Sequence, residues 1–316
     1  MIQIIGAGAI GSLWLAKLLQ KGYNCHIVSR ALPLLDKLHF TDNNNQRHTF
    51  NISHSLNLLN ETDEQQQSII LVCVKATQVL TALLNQQAYI NDNQTIILMH
   101  NGLGCAELVE EIFPNNTLVC ATTANGCLLN SKLDITHTGI GPSYFGLFKH
   151  QSNSSIPAKL ISNDANSIDC LLNAMPDSYW VSDVIEKCWL KLIINALINP
   201  LTAIHQIKNG QLAVSPFNGL LEPLLIEVFE IALAEQHSFE LSALQQTVCN
   251  VIDATAENFS SMNRDIFYHR QTEIAFINGY LIEKARLHNI DTPILKDLYR
   301  KIKILEARET TPADNH

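Results

Sequence analysis

Hydrophobic and polar positions follow two different patterns along this chain of 316 residues. In the first half, short apolar runs of strand length alternate with amphipathic segments of helical length. The predicted strands are Met1–Ile5, Asn24–Val28, Ser68–Val74, Thr95–Met99 and Thr117–Thr122. The predicted helices between them are Ile10–Lys21, Thr77–Gln86 and Cys105–Ile112. This repeated order predicts a parallel sheet with helices on both faces.

Long helical patterns dominate the chain from about Val184 onward, and we expect a domain boundary near Ser182. Before that point, residues 123–149 predict turns with short strands. The polar stretch Asn57–Gln67 predicts a solvated loop or the end of a helix, and the polar stretch His150–Ser167 predicts an exposed loop before one last helix. The helices predicted beyond the change are Val184–Ile204, Gly219–Gln236, Ala243–Glu257, Thr272–His288 and Ile294–Ala307. We therefore expect an α/β domain over residues 1–182 and an all-α domain over residues 183–316.

Composition narrows the class of protein. The chain is 47% hydrophobic and 16% charged with a net charge of −9, which disfavours a nucleic-acid groove. No apolar run reaches the roughly 20 residues of a membrane span, and the N-terminus lacks the basic region of a signal peptide. The eight cysteines form no C-x-x-C pair, and the twelve histidines show no metal spacing. We expect buried, reduced thiols, no metal site and a cytoplasmic location.

A glycine-rich turn follows the first strand. Gly6-Ala7-Gly8-Ala9-Ile10-Gly11 opens a helix, and a second strand comes after that helix. In a dinucleotide-binding turn the first glycine permits the tight turn, the second admits the pyrophosphate and the third lets helix and strand pack closely. The alternative is a structural glycine turn in another kind of α/β protein. The context favours a Rossmann-type domain.

The end of the second strand bears on the choice of cofactor. An acidic residue there would bind the ribose 2′-hydroxyl of NAD, but this strand ends in Val28-Ser29-Arg30. An arginine can hold a 2′-phosphate, so Arg30 predicts NADPH (NADP+) as the cofactor. The alternative is that Arg30 is an ordinary surface charge.

A polar stripe crosses the apolar segment CWLKLIINALINPLTA. Lys191, Asn195 and Asn199 recur every four residues, so on a helix they form one narrow stripe. Burial would lower the pKa of Lys191, and a lysine beside two amides is a suitable proton donor to a developing alkoxide. The alternative is that the stripe faces water. We expect Pro200 to kink or interrupt this helix just past Asn199.

Other candidates have competing structural explanations. Ser260 or Ser261 can bind a carboxylate or can cap a helix, and capping is the simpler interpretation. Glu273 lies in the first turns of a predicted helix and could be a solvated charge there. Lys75 and Asn101 each follow a predicted strand, at the sheet edge where ligands of open α/β sheets bind.

Together these segments resemble ketopantoate reductases (2-dehydropantoate 2-reductases), and most closely those of the enterobacterial type. The resemblance covers nearly the whole chain. The matching segments are GAGAIGSLW, Val74-Lys75-Ala76 with Gln78, HNGLG, WLKLIINALINPLTA, Asn209-Gly210, VIDATAENFSSM and TEIAFINGYL. The family reduces ketopantoate to pantoate, a precursor of coenzyme A.

The resemblance implies a role for each matching position. Lys191 is expected to be the general acid, Asn101 to position Lys191 and the nicotinamide, and Glu273 to orient the site. The implied substrate contacts are Asn195, Asn199, Asn209 and Ser261. The implied NADPH contacts are Gly6, Ala7, Gly8, Ala9, Ile10, Gly11, Arg30, Lys75, Gln78 and Asn101.

Ala275 departs from the family, which often has an acidic residue after Glu-Ile, and the stretch around Ser143–Asn166 is also atypical. Two other functions remain open. One is a related NADPH-dependent reductase of another 2-oxo acid, a class close to the β-hydroxyacid dehydrogenases with their lysine and asparagine on one helix. The other is a non-catalytic NADP(H) sensor. The expected partner is a small-molecule substrate, with the protein a monomer or a homodimer that binds neither nucleic acid nor membrane.

Overall fold

A computed structural model describes residues 1–29, 36–55, 57–58, 69–92, 94–149, 160 and 168–308. Contacts along the chain divide it into two compact units. The first unit contains Met1–His100 and Cys105–Lys187, and the second contains Asn101–Gly104 and Cys188–His316. The short segment Asn101–Gly104 therefore belongs with the second half of the chain. The domain boundary after residue 182 stays a prediction.

An eight-stranded sheet forms the centre of the first unit, in the order β12-β11-β8-β7-β6-β1-β2-β5. Its strands are β1 Ile2–Ile5, β2 Cys25–Val28, β5 Ser53–Ser55, β6 Ile69–Val72, β7 Thr95–Met99, β8 Thr117–Thr123, β11 Ser143–Leu147 and β12 Ser178–Trp180. Neighbouring strands are parallel except β8 and β11, which are antiparallel. Every residue of β1, β2, β6 and β7 is buried, as expected for strands covered on both faces.

The helices of this unit are α1 Ala9–Gln20, α2 Ala76–Leu84, α3 Cys105–Ile112 and α4 Ile168–Ala174, with a 3₁₀ turn at Gln87–Tyr89. The predicted strand–helix alternation is confirmed, and Thr95–Met99 and Cys105–Ile112 have the predicted bounds. The loops predicted at Asn57–Gln67 and His150–Ser167 lie almost entirely outside the described residues.

A second sheet of four strands, in the order β4-β3-β10-β9, packs into the same unit. Its strands are β3 Lys37–Thr41, β4 Arg47–Asn51, β9 Gly126–Ser131 and β10 Asp134–Gly139. The strands after residue 123 agree with the predicted short strands, but β3 and β4 were not predicted. Only Leu38 and Phe40 of β3 are fully buried, so this hairpin carries a short alternation that is easily overlooked.

Helices make up most of the described part of the second unit, which agrees with the predicted all-α domain. Its helices are α5 Val184–His205, whose residues up to Lys187 belong to the first unit, α6 Asn218–Ala234, α7 Leu241–Ala254, α8 Ser261–Phe267, α9 Asn278–Leu287 and α10 Pro293–Arg308, with a 3₁₀ helix at Asn209–Ala213. The predicted start of a helix at Thr272 is wrong, because residues 273–277 form a bend and turns and α9 begins only at Asn278. Glu273 therefore lies in a turn.

Helix α5 continues through Pro200 to His205, so the predicted interruption is wrong, and the alternative of a kink stays a prediction. Proline removes the N–H that would bond the carbonyl four residues earlier, which is that of Ala196. The side-chain Nδ2 of Asn278 donates to this carbonyl at 3.2 Å. Asn278 has no exposed surface, so a buried amide from α9 replaces the hydrogen bond that Pro200 cannot make.

Helix α5 is long and apolar enough, by length and composition, to cross a membrane. Of its most apolar window, however, 61% is buried within the protein, as in the core helix of a globular domain. The carbonyl pairing at Ala196 and the polar stripe are consistent with that second interpretation.

The glycine turn between β1 and α1 has a different constraint at each glycine. Gly6 has φ +112°, and a Cβ there would lie 2.8 Å from Val74 Cγ1. A Cβ on Gly11 would overlap the Gly6 carbonyl oxygen, so α1 can start here only without a side chain. Gly8 caps the helix and has no atom within 4 Å of a Cβ position. The space beside Gly8, at the N-terminus of a helix, is where an anion is favoured.

We predict different outcomes for alanine at two of these glycines. G11A should lower the thermal unfolding midpoint, because its methyl group overlaps Gly6. G8A should change the free energy of unfolding by no more than about 1 kcal/mol. It should nevertheless raise the dissociation constant for NADPH roughly tenfold, by filling the space for the pyrophosphate. Calorimetry and NADPH fluorescence titration measure the two quantities, and equal destabilisation by both variants would contradict the assignment.

Asn278 and Pro200 should be energetically coupled. N278A leaves the Ala196 carbonyl without its partner, at a cost of about 1–3 kcal/mol in the free energy of unfolding. In a P200A background the restored N–H can bond that carbonyl, so the same N278A change should cost less. Urea unfolding of the four proteins gives the coupling as a double-mutant cycle. An identical cost in both backgrounds would show that the amide does not replace the missing bond.

Candidate active site

The polar stripe lies on α5 as the four-residue spacing predicts. Asn199 is 5% exposed, whereas Lys191 and Asn195 are partly buried. Of the residues between them, all are buried except Ile194, which is partly buried. The stripe is therefore a narrow polar line on a core helix, and the alternative of a fully solvated face does not hold for Asn199.

Glu273 meets Asn101 in the second unit. The Asn101 Nδ2 donates to Glu273 Oε2 at 2.9 Å, across 172 positions of sequence. Glu273 is only 7% exposed, so the alternative of a solvated helix charge is wrong. Two of the three residues predicted to be catalytic are therefore in direct contact.

Further backbone contacts fix the segment Asn101–Gly104 against the turn that carries Glu273. Leu103 N donates to Phe276 O at 2.9 Å. Gly102 has φ +82°, and a Cβ there would overlap the Phe276 carbonyl oxygen. Gly104 has φ +97°, and its Cβ position lies 3.1 Å from Tyr280 Cδ2. The sequence interpretation did not assign a role to these glycines, although glycine is the residue that most readily adopts positive φ.

The third residue, Lys191, is coupled to Glu273 electrostatically. Burial lowers the pKa of Lys191, while the negative charge of Glu273 and the Cys188 thiol act in the opposite direction. The net effect is a pKa below the ordinary value of 10.5. An ammonium group with a lowered pKa gives up its proton more readily, and the nearby carboxylate keeps it charged until then.

The two serines before α8 have different surroundings. Ser260 is 6% exposed and caps α8, since its Oγ accepts from Asn263 N at 3.1 Å. Ser260 Oγ also shares a hydrogen bond of 2.8 Å with Thr202 Oγ1 of α5. Ser261, the first residue of the helix, is exposed. The capping interpretation is therefore confirmed for Ser260, and Ser261 is the serine whose side chain reaches the surface.

Asn209 forms hydrogen bonds with the segment that follows helix α7. Its backbone N donates to Asn258 O at 2.9 Å, and its Nδ2 donates to Thr255 Oγ1 at 2.9 Å. A Cβ on the next residue, Gly210, would lie 2.7 Å from the Cβ of Ala256. The Asn209-Gly210 pair thus packs against the end of α7. The Asn209 Oδ1 is buried without a partner among the described residues.

Two of the predicted cofactor residues outside the glycine turn, Lys75 and Gln78, lie beyond strand β6. Lys75 precedes the first residue of α2 and is partly buried, and Gln78 is exposed in the first turn of that helix. The Gln78 N donates to Lys75 O at 2.7 Å, so the two residues share one helical turn. Within the glycine turn, Ala7, Ala9 and Ile10 are partly buried. Arg30 lies outside the described residues.

The cysteines are all free. Five are buried, but Cys127 and Cys188 are partly buried and Cys249 is exposed, so the expectation of burial is wrong for these three. The described residues contain no group of three or more histidine, cysteine, aspartate or glutamate side chains able to hold a metal ion.

Known proteins resemble the chain over almost its full length. A 2-dehydropantoate 2-reductase of Vibrio cholerae is 35% identical over 306 residues, which is 96% of this chain and 97% of that protein. Among solved structures, a D-mandelate dehydrogenase in complex with NADH and anilino(oxo)acetate has a TM-score of 0.86 at 19% identity, over 98% of this chain and 100% of the other. A dimeric ketopantoate reductase from Staphylococcus aureus has a TM-score of 0.77 at 20% identity, over 98% of this chain and 99% of the other. These two structural likenesses establish the fold.

Two family descriptions account for most of the sequence. The family "Ketopantoate reductase PanE/ApbA" matches residues 2–150, and its C-terminal counterpart, "Ketopantoate reductase PanE/ApbA C terminal", matches residues 183–306. The first match contains the glycine turn and Asn101, and the second contains Lys191, Ser261 and Glu273. The chain belongs to the ketopantoate reductase family.

Proposed function

We propose that the protein catalyses the NADPH-dependent reduction of 2-dehydropantoate (ketopantoate) to (R)-pantoate, a step toward pantothenate and coenzyme A. The observation that carries this proposal is the hydrogen bond between Asn101 and the buried carboxylate of Glu273, whose charge also acts on Lys191. Such an arrangement suits proton donation to an oxygen that becomes negative during reduction.

The chain's residues fit a dinucleotide. The open space at Gly8 adjoins the N-terminus of α1, and Gly6 and Gly11 keep that turn free of side chains. Lys75 and Gln78 would add polar contacts from the start of α2. The reduced nicotinamide would supply the hydride. Arg30 is our candidate for the 2′-phosphate of NADPH, and NAD(P)H use in general is a property of the family and its structural neighbours.

Lys191 would donate its proton to the C2 oxygen of ketopantoate as the carbonyl becomes an alcohol. Glu273 would keep the ammonium form populated at neutral pH, and Asn101 would hold the Glu273 carboxylate in place. Asn195, Asn199 and Ser261 would bind the hydroxyl and carboxylate ends of the substrate. Asn209 is a weaker candidate, because its side-chain amide already bonds Thr255.

The main rival is a reductase of another 2-oxo acid, a reaction class favoured by the likeness to the D-mandelate dehydrogenase fold. Ala275, which departs from the acidic residue often found in the family after Glu-Ile, is exposed. Because of this departure, the identity of the substrate needs a direct test. A comparison of kcat/KM for ketopantoate, its unbranched analogues and an arylglyoxylate separates these functions. A higher value for any competitor would replace ketopantoate as the substrate, and no NADPH oxidation with any of them would favour the non-catalytic sensor.

The partner of this protein is a small-molecule substrate. We propose a cytoplasmic location and a monomer or homodimer, with the dimeric state of the Staphylococcus aureus relative favouring the second. Light scattering of the purified chain at several concentrations distinguishes the two oligomeric states.

The substitution K191A should lower kcat by about 10²- to 10⁴-fold, which is the usual contribution of a general acid, while NADPH still binds. Lys187 offers a matched control, since it lies one turn earlier on α5 and pairs with Asp183 at 3.3 Å. K187A should keep wild-type turnover. Stopped-flow absorbance at 340 nm measures both variants, and near-normal turnover by K191A would remove Lys191 from the mechanism.

The substitution E273Q should shift the pH profile. Reduction requires protonated Lys191, so kcat falls as pH rises through the pKa of this lysine. The glutamine side chain of the variant can still accept the Asn101 hydrogen bond, but it lacks the negative charge that raises the pKa of Lys191. The descending limb of kcat should therefore move to lower pH. The control E257Q removes the charge of an exposed carboxylate that pairs with Lys208, and it should leave the descending limb of kcat in place. An unmoved limb in E273Q would contradict the electrostatic coupling of Glu273 to Lys191.

A further inference from the structure

Glu306 of the C-terminal helix α10 reaches the turn that carries Glu273. Its Oε1 accepts two hydrogen bonds from one residue, at 2.8 Å from Thr272 N and at 2.7 Å from Thr272 Oγ1. Thr272 is 1% exposed, so both bonds lie within the protein. The other carboxylate oxygen, Oε2, pairs with Lys303 on the same helix.

The hydroxyl group of Thr272 also connects Glu306 to Ile274, the residue that follows Glu273. Thr272 Oγ1 donates its proton to Glu306 and accepts from Ile274 N at 3.2 Å. Ile274 is also 1% exposed. The residues immediately before and after Glu273 are thus held by one carboxylate, through one hydroxyl group.

This anchor matters because no regular helix sets the direction of the Glu273 side chain. The helix begins at Asn278, and the backbone between is a turn in which Glu273 O accepts from Phe276 N and Ile277 N at 3.0 and 3.1 Å. Those bonds fix the C-terminal side of the turn. Thr272 provides the fixed point on the N-terminal side.

Glu306 is ionised under ordinary conditions. Burial by itself would raise the pKa of this carboxyl group, but the hydrogen bonds from Lys303 and Thr272 outweigh it and lower the pKa. A charged acceptor forms shorter and stronger hydrogen bonds than a neutral one. The anchor is therefore maintained across the neutral pH range.

We propose that Glu306 is a positioning residue for the active site, which holds Thr272 so that Glu273 is aimed at Asn101 and Lys191. Glu306 itself touches neither substrate nor cofactor in this scheme. The proposal rests on the proposed function only for its kinetic consequence. Its structural consequence, a turn at 272–274 that depends on a residue of α10, can be measured without turnover.

The test compares E306A with E306Q in the full-length protein. E306A removes the acceptor, so the Glu273 turn loosens. E306Q keeps an oxygen that can accept both Thr272 bonds and should restore most of the function. D297A is a matched control, because Asp297 lies on the same helix and pairs only with exposed Arg300 and Lys301 among the contacts recorded for the described residues.

Two readouts separate positioning from general stability. Hydrogen–deuterium exchange at the Ile274 amide should quicken in E306A and stay slow in E306Q and D297A. With ketopantoate and NADPH, E306A should lose about 10- to 100-fold in kcat, a size typical of a misplaced catalytic group. Its descending pH limb should also move to lower pH, because Glu273 then acts less strongly on Lys191.

Unchanged exchange at Ile274 together with wild-type kcat and pH profile in E306A would overturn the proposal. Equal losses in E306A and E306Q would also overturn it, because the retained acceptor should rescue. If the wild-type protein fails to reduce ketopantoate, the proposed function fails, while the exchange experiment still decides whether Glu306 anchors the turn.

Discussion

The second unit depends on an interaction that offsets the free-energy cost of burying a charged lysine, Lys191, on the apolar helix α5. Burial disfavours the charge of Lys191, and the Glu273 carboxylate counteracts that effect. A carboxylate that is itself 7% exposed must in turn be hydrogen-bonded, and Asn101 provides that bond. The three residues therefore form one electrostatic cluster, in which Glu273 accepts the Asn101 hydrogen bond and its charge raises the pKa of Lys191.

The electrostatic cluster of Lys191, Glu273 and Asn101 requires that helix α5 and the turn at Glu273 keep their positions. Helix α5 continues past Pro200, and the buried amide of Asn278 donates a hydrogen bond to the Ala196 carbonyl that the proline leaves without its usual donor. The turn at Glu273 lies directly before Asn278, so the same short segment supports the stripe and supplies its counter-charge. Asn278, which supports helix α5, and Glu273, which acts on Lys191, are therefore only five positions apart in the sequence.

The sequence predicted the repeating layers well, because buried parallel strands and amphipathic helices have strong patterns. It predicted Thr95–Met99 and Cys105–Ile112 with their observed bounds. It missed the hairpin β3–β4, whose alternation includes only a few apolar positions. It also extended α9 back to Thr272, because a turn held by side-chain bonds from α10 has no periodicity of its own. Spacing alone therefore predicted that Lys191 lies on the polar stripe of α5, but it could not predict the contacts of Glu273.

The proposed NADPH site consists of the glycine turn, where the constraints at Gly6 and Gly11 are steric, and of Arg30, our candidate from the sequence for the 2′-phosphate contact. The most direct test is the steady-state rate of ketopantoate reduction by the purified protein, measured with NADPH and with NADH. We expect stoichiometric formation of pantoate and a kcat/KM for NADPH at least about tenfold above that for NADH, a difference of roughly 1.4 kcal/mol. Equal or better use of NADH, or no reduction of ketopantoate with either cofactor, would contradict this expectation.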